Sequence, residues 1–328
     1  MSTSVVAPDA QESKRRSSVD LSQLTPLLGL ALVALLAAIF APKFFQADNL
    51  GNLTRQAGIL AVVAAGQTLV LLVAGIDLSV GAVITLSMVL IAKICKTDES
   101  KILMALIVAL IVALIAGSAN AFLVVVRRVP PFVATLATAV LIGGVQTAYT
   151  QGVPSGSIPK ALTRLGSGNL HGIPVPSIVG LLVIAATAFV LRYTYIGRWI
   201  YASGGNPEAA RVSGVPVSRV VAGCFIASSL FALAGGILLG GYAGYVDSYL
   251  GAGYDLDSIA AAVIGGTSFA GGKGGVWRTL VGSLIITAAL NMIVLAGASE
   301  WLQLFVKGFV VILAVAIQTA RWNWRRRR

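Results

Sequence analysis

The chain has 328 residues, of which 57% are hydrophobic and only 11% charged. A soluble domain carries roughly a quarter charged residues, so this composition excludes an ordinary soluble enzyme and calls for a surface covered by lipid. The formal net charge of +12 sits in short connectors and a terminal cluster, Arg325 to Arg328, a distribution that marks the cytoplasmic side of a membrane protein and excludes a nucleic-acid partner.

Residues 1–24 read as a polar cytoplasmic tail with Lys14, Arg15 and Arg16. The apolar stretch from Leu27 to Phe40 has no small-residue cleavage site directly after it, so it reads as a retained first span. Runs of about 17–25 apolar residues can cross a bilayer as helices. Nine such runs are predicted, at 25–45, 56–74, 79–95, 102–126, 132–150, 174–193, 220–243, 277–296 and 301–320. A tenth segment, 255–270, is short, glycine-rich and carries Asp255 and Asp257. Basic residues at both ends place both termini in the cytoplasm, which requires an even number of crossings. Threading ten spans puts most Lys and Arg inside, with Lys43, Arg55, Lys96, Lys101, Lys160 and Arg164 as exceptions outside. The expected fold is therefore all-α and polytopic, with about ten transmembrane helices including a broken or re-entrant 255–270. Such a segment must face the protein interior, because irregular backbone survives at membrane depth only where protein or water satisfies it.

Residues 151–173 form a polar outer loop, and 195–218 form the longest cytoplasmic connector between spans. The centre of that connector predicts a short helix: Asn206 suits the N-cap, Pro207 the first helical position, and Gly214 with Pro216 the stop. Gly236, Gly240 and Gly244 repeat at four-residue spacing, which lets another helix approach closely. Lys307 falls inside the last span, where a lysine snorkels or pairs with a carbonyl. Residues 321–328 form a basic cytoplasmic tail. Cys95 and Cys224 fall near opposite faces and predict no disulfide, and with His171 they form no metal-binding cluster. No cofactor or metal site is expected.

Three stretches carry more. GQTLVLLVAGIDLSVGAVITL at 66–86 contains Gly75, Asp77, Ser79 and Gly81. A carboxylate within the membrane is costly and marks function by default. Asp77 reads either as the cap of the third helix at the inner surface or as a group that orients a helix break or lines a pathway. Asp255 and Asp257 pose the same choice at the outer face, as caps of the short segment or as part of an outer mouth. GGTSFAGGKGG around Lys273 is the nearest approach to a P-loop, but Thr267 holds the place of the first required glycine and Gly274 follows the lysine. ATP is not expected to bind this chain.

Together with GGNPEAARVSGV at 204–215 and GAGYDLDSIAAAVIGGTSFAGGKGGVWRTLVGSLI at 251–285, that first stretch resembles the permease subunit of bacterial ABC importers for monosaccharides, the ribose-type family. The resemblance covers about residues 25–320. It implies a non-enzymatic membrane subunit that works with a cytoplasmic ABC ATPase, a periplasmic sugar-binding protein and a second permease, either a copy or a paralogue. It also implies that Glu208, Ala209, Ala210 and Arg211, with Asn206 and Pro207 at the helix start, couple to the ATPase, and that Gly204, Gly205 and Gly214 shape the turns. An ion- or proton-coupled secondary transporter of a small polar solute is the rival reading. It would need no ATPase, and two glycine-interrupted segments favour it.

Overall fold

The computed structural model describes residues 25–297 except Thr97 and Ser155, together with Ser299, Trp301, Leu302, Phe305, Gly308 and Phe309. Both predicted tails, Lys307 and most of the span expected at 301–320 lie outside the described residues.

Among the described residues the molecule is all-α apart from one two-stranded hairpin. In chain order the helices are α1 (Thr25–Phe40), α2 (Ala47–Leu72), α3 (Val80–Cys95), α4 (Ile102–Ala121, continued by a π-turn over Phe122–Val126), α5 (Pro131–Thr150) and α6 (Lys160–Ser167). Strands β1 (Asn169–Leu170) and β2 (Ile173–Pro174) follow, then α7 (Val175–Tyr193), α8 (Tyr195–Gly205), α9 (Pro207–Val212), α10 (Val217–Ala243), α11 (Tyr254–Ile264) and α12 (Val276–Leu295). Among the described residues, six helices are long and apolar enough to cross a membrane: α2, α4, α5, α7, α10 and α12. Shorter apolar helices occupy the first and third predicted spans. The chain is a multi-pass membrane protein.

α2 is the central post. Its apolar length is almost entirely buried, because α7, α10, α11 and α12 all pack around it. α4, α5 and α7 are peripheral and expose large apolar side chains such as Leu103, Ile111, Leu141 and Leu182. In water such a surface would drive aggregation; in a bilayer it is the surface the solvent requires. Close helix contact depends on small residues. A Cβ on Gly236 would lie 3.0 Å from the Ile84 carbonyl oxygen of α3. Gly240 faces Met88, also on α3, so the glycine repeat of α10 works within the subunit. Gly244 does not share that role: it is the left-handed C-cap of α10.

One expectation is met in part and two are corrected. First, 255–270 is interrupted, in keeping with a broken or re-entrant element. α11 has 11 residues, about 16 Å at 1.5 Å per residue, against a hydrocarbon core of about 30 Å. The rest of the segment is a loop at 265–275, and the predicted count of ten helical crossings is not established. The segment does face the protein interior: Asp257 through Val263 are buried. Second, the outer connector is not plain loop. α6 seats Leu162 and Gly166 against α10, and the hairpin follows it. Third, α2 begins nine residues before the predicted span. Its polar first turns are held by reciprocal amide bonds between Asn49 and Asn291, at 2.8 and 2.9 Å, and by Arg55, which donates to Asn169 Oδ1 at 2.9 Å.

Candidate functional site

The predicted short helix lies where expected. In α9, Asn206 Oδ1 accepts from Ala209 N at 3.1 Å and Pro207 occupies the first helical position. At the other end Gly214, at φ +79°, donates to Arg211 O at 2.9 Å, and Val215 N donates to Ala210 O at 3.0 Å. A left-handed residue at this point closes a helix with its orphan carbonyls satisfied. Glu208 and Arg211 form an exposed ion pair, worth under about 1 kcal/mol. Ala210 is buried and Val212 is 91% exposed. The helix presents an apolar tip and a charged pair to whatever approaches it.

The rest of the connector is corrected. Residues 195–205 are helical rather than loop, with Thr194 as N-cap accepting from Gly197 N at 3.3 Å. The buried face of α8 carries Gly197, Ile200, Ser203 and Gly204, a helical spacing hidden by the small residues that make it. Gly204 shapes no turn. It lies within α8 with its Cα against the Leu72 carbonyl, so closely that any Cβ would overlap it. Gly205, the next residue, has open space around its missing side chain.

That contact belongs to a three-way junction. Gly272 N donates to the same Leu72 oxygen at 2.9 Å. Tyr201 of α8 donates from its hydroxyl to Gly274 O at 3.0 Å. The 265–275 loop, the end of α2 and α8 are thus joined at one end of the bundle, called here the junction end.

Immediately beyond the junction α2 breaks. Residues 73–79 are non-helical, with Ala74 at φ +60°, a conformation uncommon for a non-glycine residue. Asp77 sits inside this break and is fully buried. Its Oδ1 accepts from Ser79 N at 2.9 Å and from Ser79 Oγ at 2.6 Å. Ser79 in turn accepts from Asn120 Nδ2 of α4 at 2.8 Å. Leu78 N donates to Thr135 Oγ1 of α5 at 3.1 Å. Gln67 of α2, with its amide turned so that donor meets acceptor, spans the Asp77 peptide at 3.1 and 3.2 Å. Side chains from α2 and α5 therefore satisfy the backbone of the break, and Asn120 of α4 holds the Ser79 hydroxyl.

Asp77 is consequently not the cap of α3 at a surface. The N-cap position is Ser79, without a side-chain capping bond, and the carboxylate closes a local turn two residues long. Its bonds to Ser79 hold the turn, and the residue is fully buried. Gly81 allows a close backbone approach: a Cβ there would lie 2.8 Å from Gly251 O. Gly75 packs on Phe225 and Val70.

Asp255 and Asp257 occupy the first turn of α11, and the N-cap is Gly253. Neither aspartate is the cap, though acids there favour the helix dipole. The depth of α11 follows from the loop before it. Gly251 N donates to Thr85 Oγ1 at 3.2 Å. Thr85 precedes the far end of α3, at Cys95, by ten residues, about 15 Å along the helix. The start of α11 is therefore sunk well below that end, and residues 244–253 descend to it. Asn120 and Gln67 escaped the sequence reading; an amide side chain in an apolar span is the signal that could have found them.

Residues 49–315 match the family described as the branched-chain amino acid transport system / permease component. The chain belongs to this permease family. The ribose import permease protein RbsC of Bacillus subtilis is 37% identical over 311 residues, covering 94% of this chain and 96% of that protein. RbsC of Haemophilus influenzae is 37% identical over 292 residues, 87% of this chain and 90% of that one. The D-allose transport system permease protein AlsC of Escherichia coli is 32% identical over 292 residues, 87% and 89% of the two chains. No solved structure matches. The relatives span this permease almost end to end, so the junction, the break and α9 all fall within the shared length.

Proposed function

We propose that this permease is the membrane subunit of an ATP-driven ABC importer for a ribose-type monosaccharide. A periplasmic binding protein delivers the sugar, and the second permease of the pathway is another copy or a paralogue. The near full-length similarity to ribose import permeases carries this reading. The chain itself has no P-loop, so energy enters from a separate cytoplasmic ATPase. The basic connectors favour a bacterial inner membrane with both termini and the junction end in the cytoplasm.

The geometry supplies a route for that energy. α9 is short and closed at both ends, so a push on it displaces it as a body. α8 follows without slack, because only Asn206 separates the two helices. Gly204 transmits the movement to Leu72 and hence to the 73–79 break, while Tyr201 and Gly272 transmit it to the 265–275 loop between α11 and α12. The 73–79 break ends beside the Gly81–Gly251 crossing, where the pathway would widen or narrow, and the 265–275 loop lies at the other end of α11. A secondary transporter would need an ion relay instead. The buried acids lie on separate elements, Asp77 in the 73–79 break and Asp257 in the first turn of α11, and favour no such relay.

The coupling role is tested at Glu208. Glu208→Arg breaks the pair with Arg211 and places like charge on the helix start, where acids are favoured. The variant is expected to insert normally, to retain its ATPase about tenfold less well in pull-down, as loss of an interface anchor does, and to lose ATP-driven uptake. Unchanged pull-down together with unchanged uptake removes Glu208 from the coupling surface.

Orientation is tested by cysteine labelling with an impermeant reagent. Lys160→Cys, exposed on α6, is expected to react from the periplasm, and Val212→Cys, exposed on α9, only after the membrane is opened. Reaction of position 212 from the periplasm would invert the topology.

A further inference from the structure

A cavity of about 710 Å³ opens between α7, α8 and the start of α12, beside the junction. Its lining is of two kinds. Arg192, Arg278 and Tyr201 supply polar groups; Ala188, Phe189 and Trp277 supply apolar surface. Among the described residues neither guanidinium forms an ion pair. Arg192 lies over the Tyr193 ring at 5.7 Å. Burial raises the Tyr201 phenol above its usual range, and the Arg278 charge opposes that shift. α12 begins at Gly275 with no capping side chain, so its first-turn amides add partial positive charge to the cavity.

We propose that this cavity binds the phosphate head of an anionic phospholipid of the cytoplasmic leaflet, with an acyl chain along the apolar face of α7. Two unpaired arginines select an anion. A phosphodiester presents the planar forks with matching oxygens. The apolar lining selects a lipid over a soluble phosphate, because Phe189 lines the cavity and, with Leu182 seven residues earlier on α7, exposes apolar surface outside it. Trp277 and Tyr193, both more than half exposed, sit where interfacial aromatics belong. Basic pockets between helices at the cytoplasmic side hold acidic lipid heads in this manner. Tyr201 both lines the cavity and bonds Gly274, so the lipid would brace α8 against α12 at the junction that passes motion inward. The choice of leaflet rests on the orientation proposed above; the binding itself does not.

The test uses the purified full-length chain in detergent, without ATPase or sugar, so its outcome is independent of transport. Native mass spectrometry measures retention of dioctanoyl phosphatidylglycerol, dioctanoyl phosphatidylcholine and sn-glycerol 3-phosphate. The expected result is phosphatidylglycerol bound about tenfold more tightly than phosphatidylcholine, with glycerol phosphate failing to compete. Arg192→Gln with Arg278→Gln abolishes the preference, whereas Arg198→Gln, on α8 but outside the cavity, preserves it. Equal binding of the two lipids overturns the proposal, as does a preference that survives the double substitution. Competition by glycerol phosphate at matched concentration would reassign the site to a soluble phosphate. If the double variant does not fold, the comparison of the three probes on the unaltered chain decides alone.

Discussion

Gly204→Ala unfolds the junction and stops uptake, while Gly205→Ala, one residue on, leaves the protein as stable as before or more so. Helix propensity alone predicts a gain of about 1 kcal/mol for each change, since both residues lie in α8. Packing separates them. A Cβ at 204 overlaps the Leu72 carbonyl and would lie 2.8 Å from Gly272 N. Those are backbone atoms that no rotamer change can move. Relief requires α8 to withdraw from α2, which also costs the hydrogen bond from Gly272 N to Leu72 O. Overpacking of this kind costs about 3 kcal/mol, well above the propensity gain. At 205 nothing stands within 4 Å, so the propensity gain survives. Thermal unfolding of the two variants in detergent, with uptake measured alongside, checks the contrast. Equal stability of the two would mean that α8 is not seated on α2.

Asp77→Ala is expected to lower folded yield and uptake together. The substitution leaves the Ser79 amide and hydroxyl without their acceptor in a fully buried site, and each orphan costs about 1–3 kcal/mol. Asn120→Ala is expected to act in the same direction through Ser79 and to be milder, because it removes one bond rather than two. Asp77→Asn keeps an acceptor oxygen for Ser79 and should fold close to normally. Size-exclusion yield set against uptake per folded molecule distinguishes the roles. A brace predicts a constant ratio across the series. A well-folded Asp77→Ala chain that no longer transports would instead place the carboxylate on the sugar's path.

Most of the architecture was legible because apolar runs report membrane helices directly, and eight of the predicted spans coincide with helices to within a few residues at most ends. The 206–214 helix was legible for a different reason: Asn, Pro and Gly each occupy the position their backbone chemistry favours. What the sequence concealed depends on approach in three dimensions. The family resemblance makes Gly204 a turn residue, and it becomes a contact residue only when Leu72 is placed beside it. Asp77 reads as a cap by its spacing to α3, yet Ser79 intervenes and takes the carboxylate for the break. Asp255 and Asp257 follow a loop that looks like an outer mouth, and only the bond from Gly251 to Thr85 shows that the loop dips inward. α8 was hidden because its buried stripe is built partly of Gly and Ser, which hydrophobic patterning does not register.

The central claim is that ATP hydrolysed on a partner subunit moves sugar through this chain by way of α8 and α9. Its most direct test is uptake of labelled ribose into proteoliposomes that hold the permease and its ATPase, with the binding protein outside and ATP inside. The account predicts uptake that requires ATP and both partners, persists when ionophores collapse proton and sodium gradients, and disappears in Glu208→Arg. Uptake by the permease alone, driven by an ion gradient without ATP, would contradict it.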